Sequence, residues 1–238
     1  MLHAQVLGQP TADNALYVRA DRGQGTYRLL FDCGEMTLSS LSFAEIQAID
    51  HVFFSHLHMD HISGFDTLFR AIFDRQTKEN HFWGPEHTAQ ILQHHFQGYW
   101  WNYAADLQST HFVHEITADQ ISTYRFEGHE AFAVRHLVQV RPLEASGLSS
   151  ESWLIHTPAL SVRAVVLEHH GPSLGFVVRE PDKQNIDQGA LASLGLKAGP
   201  WLSRVKTPPL ETDAADEELE IAGQFYSLAQ LRKQLILT

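Results

Sequence analysis

The stretch Ser55-His56-Leu57-His58-Met59-Asp60-His61 places three imidazoles and one carboxylate within six residues, directly behind the apolar run Val52-Phe53-Phe54. Side chains two apart in an extended segment point the same way, so His56 and His58 project from one face. Asp60 and His61 then turn back toward that spot as the chain enters its next element. Imidazole and carboxylate are ordinary zinc ligands, and a catalytic zinc keeps one position open for water. Sixteen histidines in one chain make some clustering a matter of chance. The pattern H-x-H-x-D-H behind a strand-like run nevertheless reads as a metal site.

Outward from the cluster, residues 52–55 predict a strand, the cluster itself a loop, and residues 62–73 a helix. In that helix Phe65, Leu68, Phe69 and Ile72 recur at helical spacing, which is the mark of a core-facing stripe. Upstream, residues 2–7, 15–19 and 27–31 read as short strands, with Gly8-Gln9-Pro10 and Asp21-Arg22-Gly23 supplying turns. Ser42 and Glu45 have capping-box spacing and predict a helix over 43–49. Downstream, Trp83-Gly84-Pro85 ends a further strand, and Pro85 suits the first turn of a helix reaching about residue 97. Residues 111–176 are mostly strand-like, with runs at 123–126, 132–138, 152–155, 162–167 and 175–178. Strands with a few helices among them predict sheet layers flanked by helices, an α/β fold. Residues 1–238 read as one domain. Within it, residues 181–220 are rich in Gly, Pro and charge and read as an inserted arm or flexible loop, with one helix at 187–194. The acidic end of that arm, residues 211–220, reads as a solvated segment.

Length and composition set further bounds. A chain of 238 residues, 44% hydrophobic and 19% charged, can bury a real core. No apolar run approaches the roughly 18 residues of a membrane span. The segment Met1-Leu2-His3-Ala4-Gln5 lacks the basic and apolar regions of a signal peptide. One cysteine, Cys33, cannot form an internal disulfide and reads as a small buried hydrophobe near a strand end. The expected compartment is the cytoplasm. Acidic residues outnumber basic ones 28 to 17, a formal net charge of −11, so composition leans against nucleic-acid binding. A local basic patch beside a metal centre could still hold a phosphate. A second histidine candidate, His169, lies in Val166-Leu167-Glu168-His169-His170-Gly171-Pro172-Ser173, at a strand end before a Gly-Pro turn. Its neighbour His170 is expected to point elsewhere.

These residues carry a resemblance. His56-Leu57-His58-Met59-Asp60-His61 resembles the signature of the metallo-β-lactamase superfamily, and the chain as a whole more closely resembles the ribonuclease Z family of tRNA 3′-processing endonucleases. Phe31-Asp32-Cys33-Gly34-Glu35 is similar to that family's strand-end motif, and Trp83-Gly84-Pro85 to its Y-G-P turn. His169 through Phe176 is similar to its second histidine motif, with His169 in the ligand position counted back from Gly175. Asn185-Ile186-Asp187, Leu191, Leu194-Gly195-Leu196 and Ala198-Gly199-Pro200-Trp201 resemble its arm. The resemblance covers most of residues 27–206. It implies a four-layer αββα sandwich, a homodimer, and two zinc ions, although imidazole-carboxylate sites also suit manganese or iron. It implies that His56, His58 and His169 hold one metal, and that Asp60 and His61 contribute to the second. Asp60 would also orient the attacking hydroxide. Gly199 and Pro200 belong to the arm that helps hold precursor tRNA, and Asp32 is a candidate carboxylate partner for a ligand histidine.

Departures from the family pattern set counter-expectations. Gly8-Gln9-Pro10-Thr11 lacks the fuller glycine-rich pattern, and the arm offers only Lys183, Lys197, Arg204 and Lys206. The family's metal-bridging aspartate, its His-Glu pair and its last histidine ligand have no match after residue 206. The sandwich is therefore expected to be incomplete at its C-terminal side, with exposed apolar faces that favour association. Three functions follow as expectations: a zinc-dependent phosphodiesterase removing the 3′ trailer of precursor tRNA; a hydrolase of small phosphodiesters, sulfate esters or lactones; or an inactive metal-binding scaffold.

Overall fold

The computed structural model describes residues 1–22, 25–143, 153–157, 159–180, 185–206 and 217–237. The chain divides into two compact units, residues 1–180 and 181–238. In the first, the strands β1 (Leu2–Gly8), β2 (Asn14–Arg22) and β3 (Gly25–Phe31) precede the helix α1 (Phe43–Gln47). Then come β4 (His51–Phe53), α2 (Met59–Ile62), α3 (Phe65–Ile72), β5 (Asn80–Pro85) and α4 (Thr88–Phe96). β6 (Thr110–Ile116), β7 (Gln120–Glu127) and β8 (His136–Pro142) complete an eight-stranded sheet in sequence order, β1 to β8. Pairing is antiparallel for β1–β2–β3, parallel for β3–β4–β5–β6, and antiparallel again for β6–β7–β8. A second sheet of three antiparallel strands holds β9 (Ile155–His156), β10 (Ser161–Glu168) and β11 (Pro172–Arg179), with β10 at its centre.

Alternation along the central strands dictates the layering. Leu30, Val52, Phe54, Phe82 and Val113 point to one face, where they pack with Ile46 of α1, Phe65, Leu68, Phe69 and Ile72 of α3, and Leu92 of α4. Leu29, Phe31, Phe53 and Trp83 point to the other face and meet Ile155, Leu160, Val162 and Leu174 of the second sheet. Both faces of β3 to β5 are thus covered, as near-continuous hydrophobic runs in parallel strands require. The order is helices, large sheet, small sheet. Each fully buried Leu, Ile or Phe in these layers contributes about 1.5–3 kcal/mol of transfer free energy, so the stripe on α3 holds that short helix in place where propensity alone would not.

Several boundaries differ from the sequence reading. Pro85 closes β5, and the helix begins only at Thr88, after His87 turns the chain with φ 76. The predicted strand over 132–138 starts at His136; Phe132, buried with φ 56, drops into the helix-side core. The cluster read as a loop is partly helical, because Met59–Ile62 forms the single turn α2. The capping box at Ser42 is present, with the Ser42 N–H donating to Glu45 Oε2 at 2.8 Å and the Glu45 N–H donating to Ser42 Oγ at 3.3 Å. Of the strand read at 152–155, residue 152 lies outside the described residues.

The second unit holds β12 (Asn185–Ile186), α5 (Gln188–Ser193), α6 (Leu202–Lys206), β13 (Glu218–Ile221), β14 (Gln224–Ser227), α7 (Leu228–Leu235) and β15 (Ile236–Leu237). β12 pairs with β15 and β13 with β14, around a core of Ile186, Leu191, Val205, Ile221, Leu228, Leu231 and Leu235. The helix expected at 187–194 is α5. Its first turn is capped by Asp187 Oδ1, which accepts from the N–H groups of Gly189 at 2.8 Å and Ala190 at 3.0 Å. Much of the arm reading, residues 181–184 and 207–216, lies outside the described residues. Among the described residues no helix is long and apolar enough to cross a membrane.

Candidate metal centre

The cluster sits where the parallel strands end. Asp32 follows β3, Ser55 and His56 follow β4, and Glu86 and His87 follow β5, so three carboxyl strand ends converge on one rim. In open α/β sheets this edge gathers ligand sites. Backbone hydrogen bonds fix the approach. The Asp32 N–H donates to the Phe53 carbonyl at 2.7 Å and the Cys33 N–H to the His61 carbonyl at 2.8 Å. The Gly64 N–H donates to the Cys33 carbonyl at 2.8 Å, and the Leu174 N–H, from the second sheet, to the Ser55 carbonyl at 2.7 Å. The two loops interlock so closely that side chains are excluded at two points. A Cβ on Gly34 would lie 2.4 Å from the Asp60 carbonyl oxygen, and one on Gly64 only 2.2 Å from the Gly34 carbonyl oxygen.

This packing brings one ligand atom each from His56, His58 and Asp60 within 4.8 Å of one another. The His61 ring lies 3.9 Å from that of His56, and His61 Nε2 lies 3.3 Å from Asp60 Oδ2. The His169 ring, just past β10, lies 5.5 Å from His56 and 6.2 Å from His58. Burial foremost, then the neighbouring His61 and His58 rings, pushes the His56 pKa below its usual value. A neutral imidazole is the form that binds metal.

Behind the ligands stands a carboxylate. Asp32 Oδ2 lies 2.8 Å from His61 Nδ1. Asp32 Oδ1 accepts from the Ser55 N–H at 2.7 Å, and Asp32 Oδ2 from the Ser55 hydroxyl at 2.8 Å. Nitrogen and oxygen donors gathered this tightly, with a carboxylate behind one ring, could hold a transition-metal ion.

In front of the ligands lies a cavity of about 190 Å³ lined by His56, Leu57, His58, Pro85, Glu86, His87, Ile91, His169, His170, Gly171 and Pro172. Its walls Pro85, Glu86, Gly171 and Pro172 are shared with a larger cavity of about 520 Å³. His170, expected to point away, borders the same cavity as His169; its positive φ of 55 turns the chain there. Glu86 and His87 were not singled out in the sequence, although their position behind a parallel strand was the available signal. Gly199 and Pro200 lie in the second unit, where their carbonyls accept from the N–H groups of Leu202 and Ser203 at 3.1 Å each and open α6.

Comparison with known proteins bears on kinship. Residues 12–159 match the family model described as anti-Pycsar protein Apyc1. The chain is 51% identical over 236 residues to ribonuclease Z of Deinococcus radiodurans, a match covering 99% of this chain and 67% of that protein. The chain belongs to the ribonuclease Z family and to the family of that model. It is also 30% identical over 181 residues to ribonuclease Z of Methanococcus maripaludis, covering 74% of this chain and 47% of that protein. The chain thus spans two thirds of the Deinococcus ribonuclease Z and about half the length of the archaeal one. Among solved structures it is similar to human tRNase Z, short form, at TM-score 0.46 and 21% identity, covering 76% of this chain and 66% of that one. It is likewise similar to the metallo-β-lactamase fold protein YhfI of Bacillus subtilis, at TM-score 0.45 and 16% identity, covering 83% and 68%. Membership in the ribonuclease Z family accords with the α/β layering and with a His/Asp cluster at the strand ends that could hold a metal ion.

Proposed function

We propose that this chain is the metal-binding part of a zinc-dependent phosphodiesterase that removes the 3′ trailer of precursor tRNA, as ribonuclease Z relatives do, and that it works as a homodimer. The observation that carries the reading is the convergence of His56, His58 and Asp60 donors within 4.8 Å at the carboxyl edge of the parallel strands. His56, His58 and His169 hold one metal; Asp60 and His61 contribute to a second. Metal bound at these residues would supply Lewis-acid chemistry, activating water near neutral pH and polarising a phosphoryl oxygen. Asp60 orients the attacking group, while Asp32 holds His61 from behind. Glu86, His87 and His170 form the rim across which the scissile phosphate enters. Gly199 and Pro200 serve the arm that grips the tRNA.

The test is a transcript assay. A full-length preparation with zinc is expected to cut a precursor tRNA beside its discriminator base, and to stop when the metal is chelated. An intact transcript at every zinc concentration overturns the reading. A second reading is a hydrolase of small phosphodiesters, sulfate esters or lactones. It is favoured by a cavity of about 190 Å³ that, among the described residues, has no lysine or arginine in its lining. Turnover of a chromogenic diester without trailer removal would select it, and metal binding with neither activity would select a scaffold.

A further inference from the structure

The Ser55 hydroxyl stands among three hydrogen-bonding groups. Its oxygen lies 2.8 Å from Asp32 Oδ2, 3.0 Å from His56 Nδ1 and 3.4 Å from His61 Nδ1. The residue cannot swing away. Its N–H donates to Asp32 Oδ1 at 2.7 Å and its carbonyl accepts from the Leu174 N–H at 2.7 Å.

A hydroxyl carries one proton, and an ionised carboxylate only accepts. The Ser55 proton therefore goes to Asp32 Oδ2, and the Ser55 oxygen is left as an acceptor toward His56. For His56 Nδ1 at 3.0 Å to bond to it, that nitrogen must carry the ring proton. A neutral imidazole protonated on Nδ1 keeps its lone pair on Nε2. His61 is set the same way and directly, because Asp32 Oδ2 accepts from its Nδ1 at 2.8 Å. One carboxylate thus orders two rings, the nearer by contact and the farther through a hydroxyl.

We infer that Ser55 is a positioning residue: its hydroxyl relays the Asp32 carboxylate to His56 and fixes the tautomer in which that ring offers Nε2 to the metal. The inference rests on the reading of His56 as a metal ligand. It adds a residue outside the His/Asp donor set, one that acts through its hydrogen bonds to Asp32 and His56. A purely structural serine, holding the loop through its backbone and packing, would leave the ring proton free to move to Nε2.

The experiment reads the imidazole nitrogens of the metal-free chain at pH 8 by two-dimensional 1H–15N spectroscopy, with His56 assigned by its loss in His56→Gln. The wild-type ring is expected to carry its proton on Nδ1. Ser55→Ala is expected to shift it toward Nε2, and Ser55→Thr, which keeps the hydroxyl, to restore it. Zinc affinity, measured by competition with a chromogenic chelator, is expected to fall about tenfold in Ser55→Ala, the low end of effects from groups behind metal ligands, and to recover in Ser55→Thr. A wild-type ring protonated on Nε2, or an unmoved proton in Ser55→Ala, overturns the inference. Should Ser55→Ala fail to fold, the wild-type and Ser55→Thr spectra still decide, because Nε2 protonation in either contradicts the relay. No RNA enters these measurements. If these measurements come out as expected while a full-length preparation leaves precursor tRNA uncut, the proposed function alone is overturned.

Discussion

His61 Nδ1 lies 2.8 Å from Asp32 Oδ2, joining the residue after β3 to the last histidine of the cluster. Asp32 holds a left-handed backbone, φ 58, that asparagine also tolerates. In Asp32→Asn the amide presents an N–H₂ group either to the His61 ring or to the Ser55 N–H, so one of its two partners faces a donor. The variant is expected to keep its circular dichroism spectrum and to bind zinc about 10- to 100-fold more weakly. Unchanged affinity in a chelator competition would show that the carboxylate does not orient His61.

Metal binding should also register as stability. A ligand that binds only the folded chain stabilises it by about 2.7 kcal/mol at 100 times its dissociation constant. Zinc at that excess is expected to raise the denaturant midpoint of the wild-type chain, and a chelator to reverse the gain. His58→Ala removes one of the three converging donors without touching the core, since His58 is exposed. It should keep the zinc-free midpoint and lose most of the zinc-dependent gain. An equal gain in both proteins would place the metal elsewhere.

His111 offers a separate test away from the site. It is fully buried, neither ring nitrogen has a hydrogen-bond partner among the described residues, and the rings of Phe69, Phe82, Phe96 and Phe132 surround it at 5.1–5.9 Å. Burial, then Arg75, pushes its pKa down to about 3. The folded ring is neutral, whereas the unfolded one takes up a proton below about 6.5. Its contribution is therefore fully present above pH 6.5 and is lost as the pH falls from there toward 3. His111→Phe removes the unpartnered nitrogens and is expected to gain about 1–3 kcal/mol at pH 7. The gain should grow by about 2 kcal/mol at pH 5, the cost of one proton taken up over 1.5 pH units. Equal midpoint shifts at the two pH values would sink the titration argument.

How far the sequence carried depends on the range of the interaction. Val52-Phe53-Phe54 is legible as a strand because its apolar run is local, and the α3 stripe because Phe65, Leu68, Phe69 and Ile72 repeat at helical period. Ser55 was not legible as a hub, since its partner Asp32 lies 23 residues upstream and only the parallel pairing of β3 with β4 brings them together. His169 is the member of the pair whose ring approaches His56 and His58, and the left-handed backbone at His170 is a local feature that sequence alone does not give. Phe132 looked like a strand residue by composition, yet a left-handed turn drops it into the core. In residues 181–238 the apolar positions Ile186, Leu191, Val205, Ile221, Leu228, Leu231 and Leu235 are spread thinly among Gly, Pro and charge. No single window shows the small core they build.

The interlocked glycines give the last prediction. Replacing glycine by alanine usually stabilises by about 0.4–1 kcal/mol where the backbone permits it, because the unfolded chain loses freedom. Neither Gly34 nor Gly64 has a positive φ, so their backbones accept a Cβ. The space does not. At Gly34 the new carbon would sit 2.4 Å from the Asp60 carbonyl and 2.5 Å from Asp13 Cβ. Asp13 is itself held, its Oδ2 accepting from the Glu35 N–H at 2.8 Å and the Ser63 hydroxyl at 3.2 Å. Relief must then come from the backbone of Asp60, which would move a candidate metal donor. Gly34→Ala is expected to lose about 1–3 kcal/mol, as overpacking does, and to weaken zinc binding with it. Gly25→Ala is the control, since a Cβ there meets nothing within 4 Å. It should leave stability level or slightly raised and zinc binding unchanged. If Gly34→Ala weakens the fold yet binds zinc as the wild type does, the loop of Asp60 adapts independently of the strand-end turn, and the interlock does not position the metal donors.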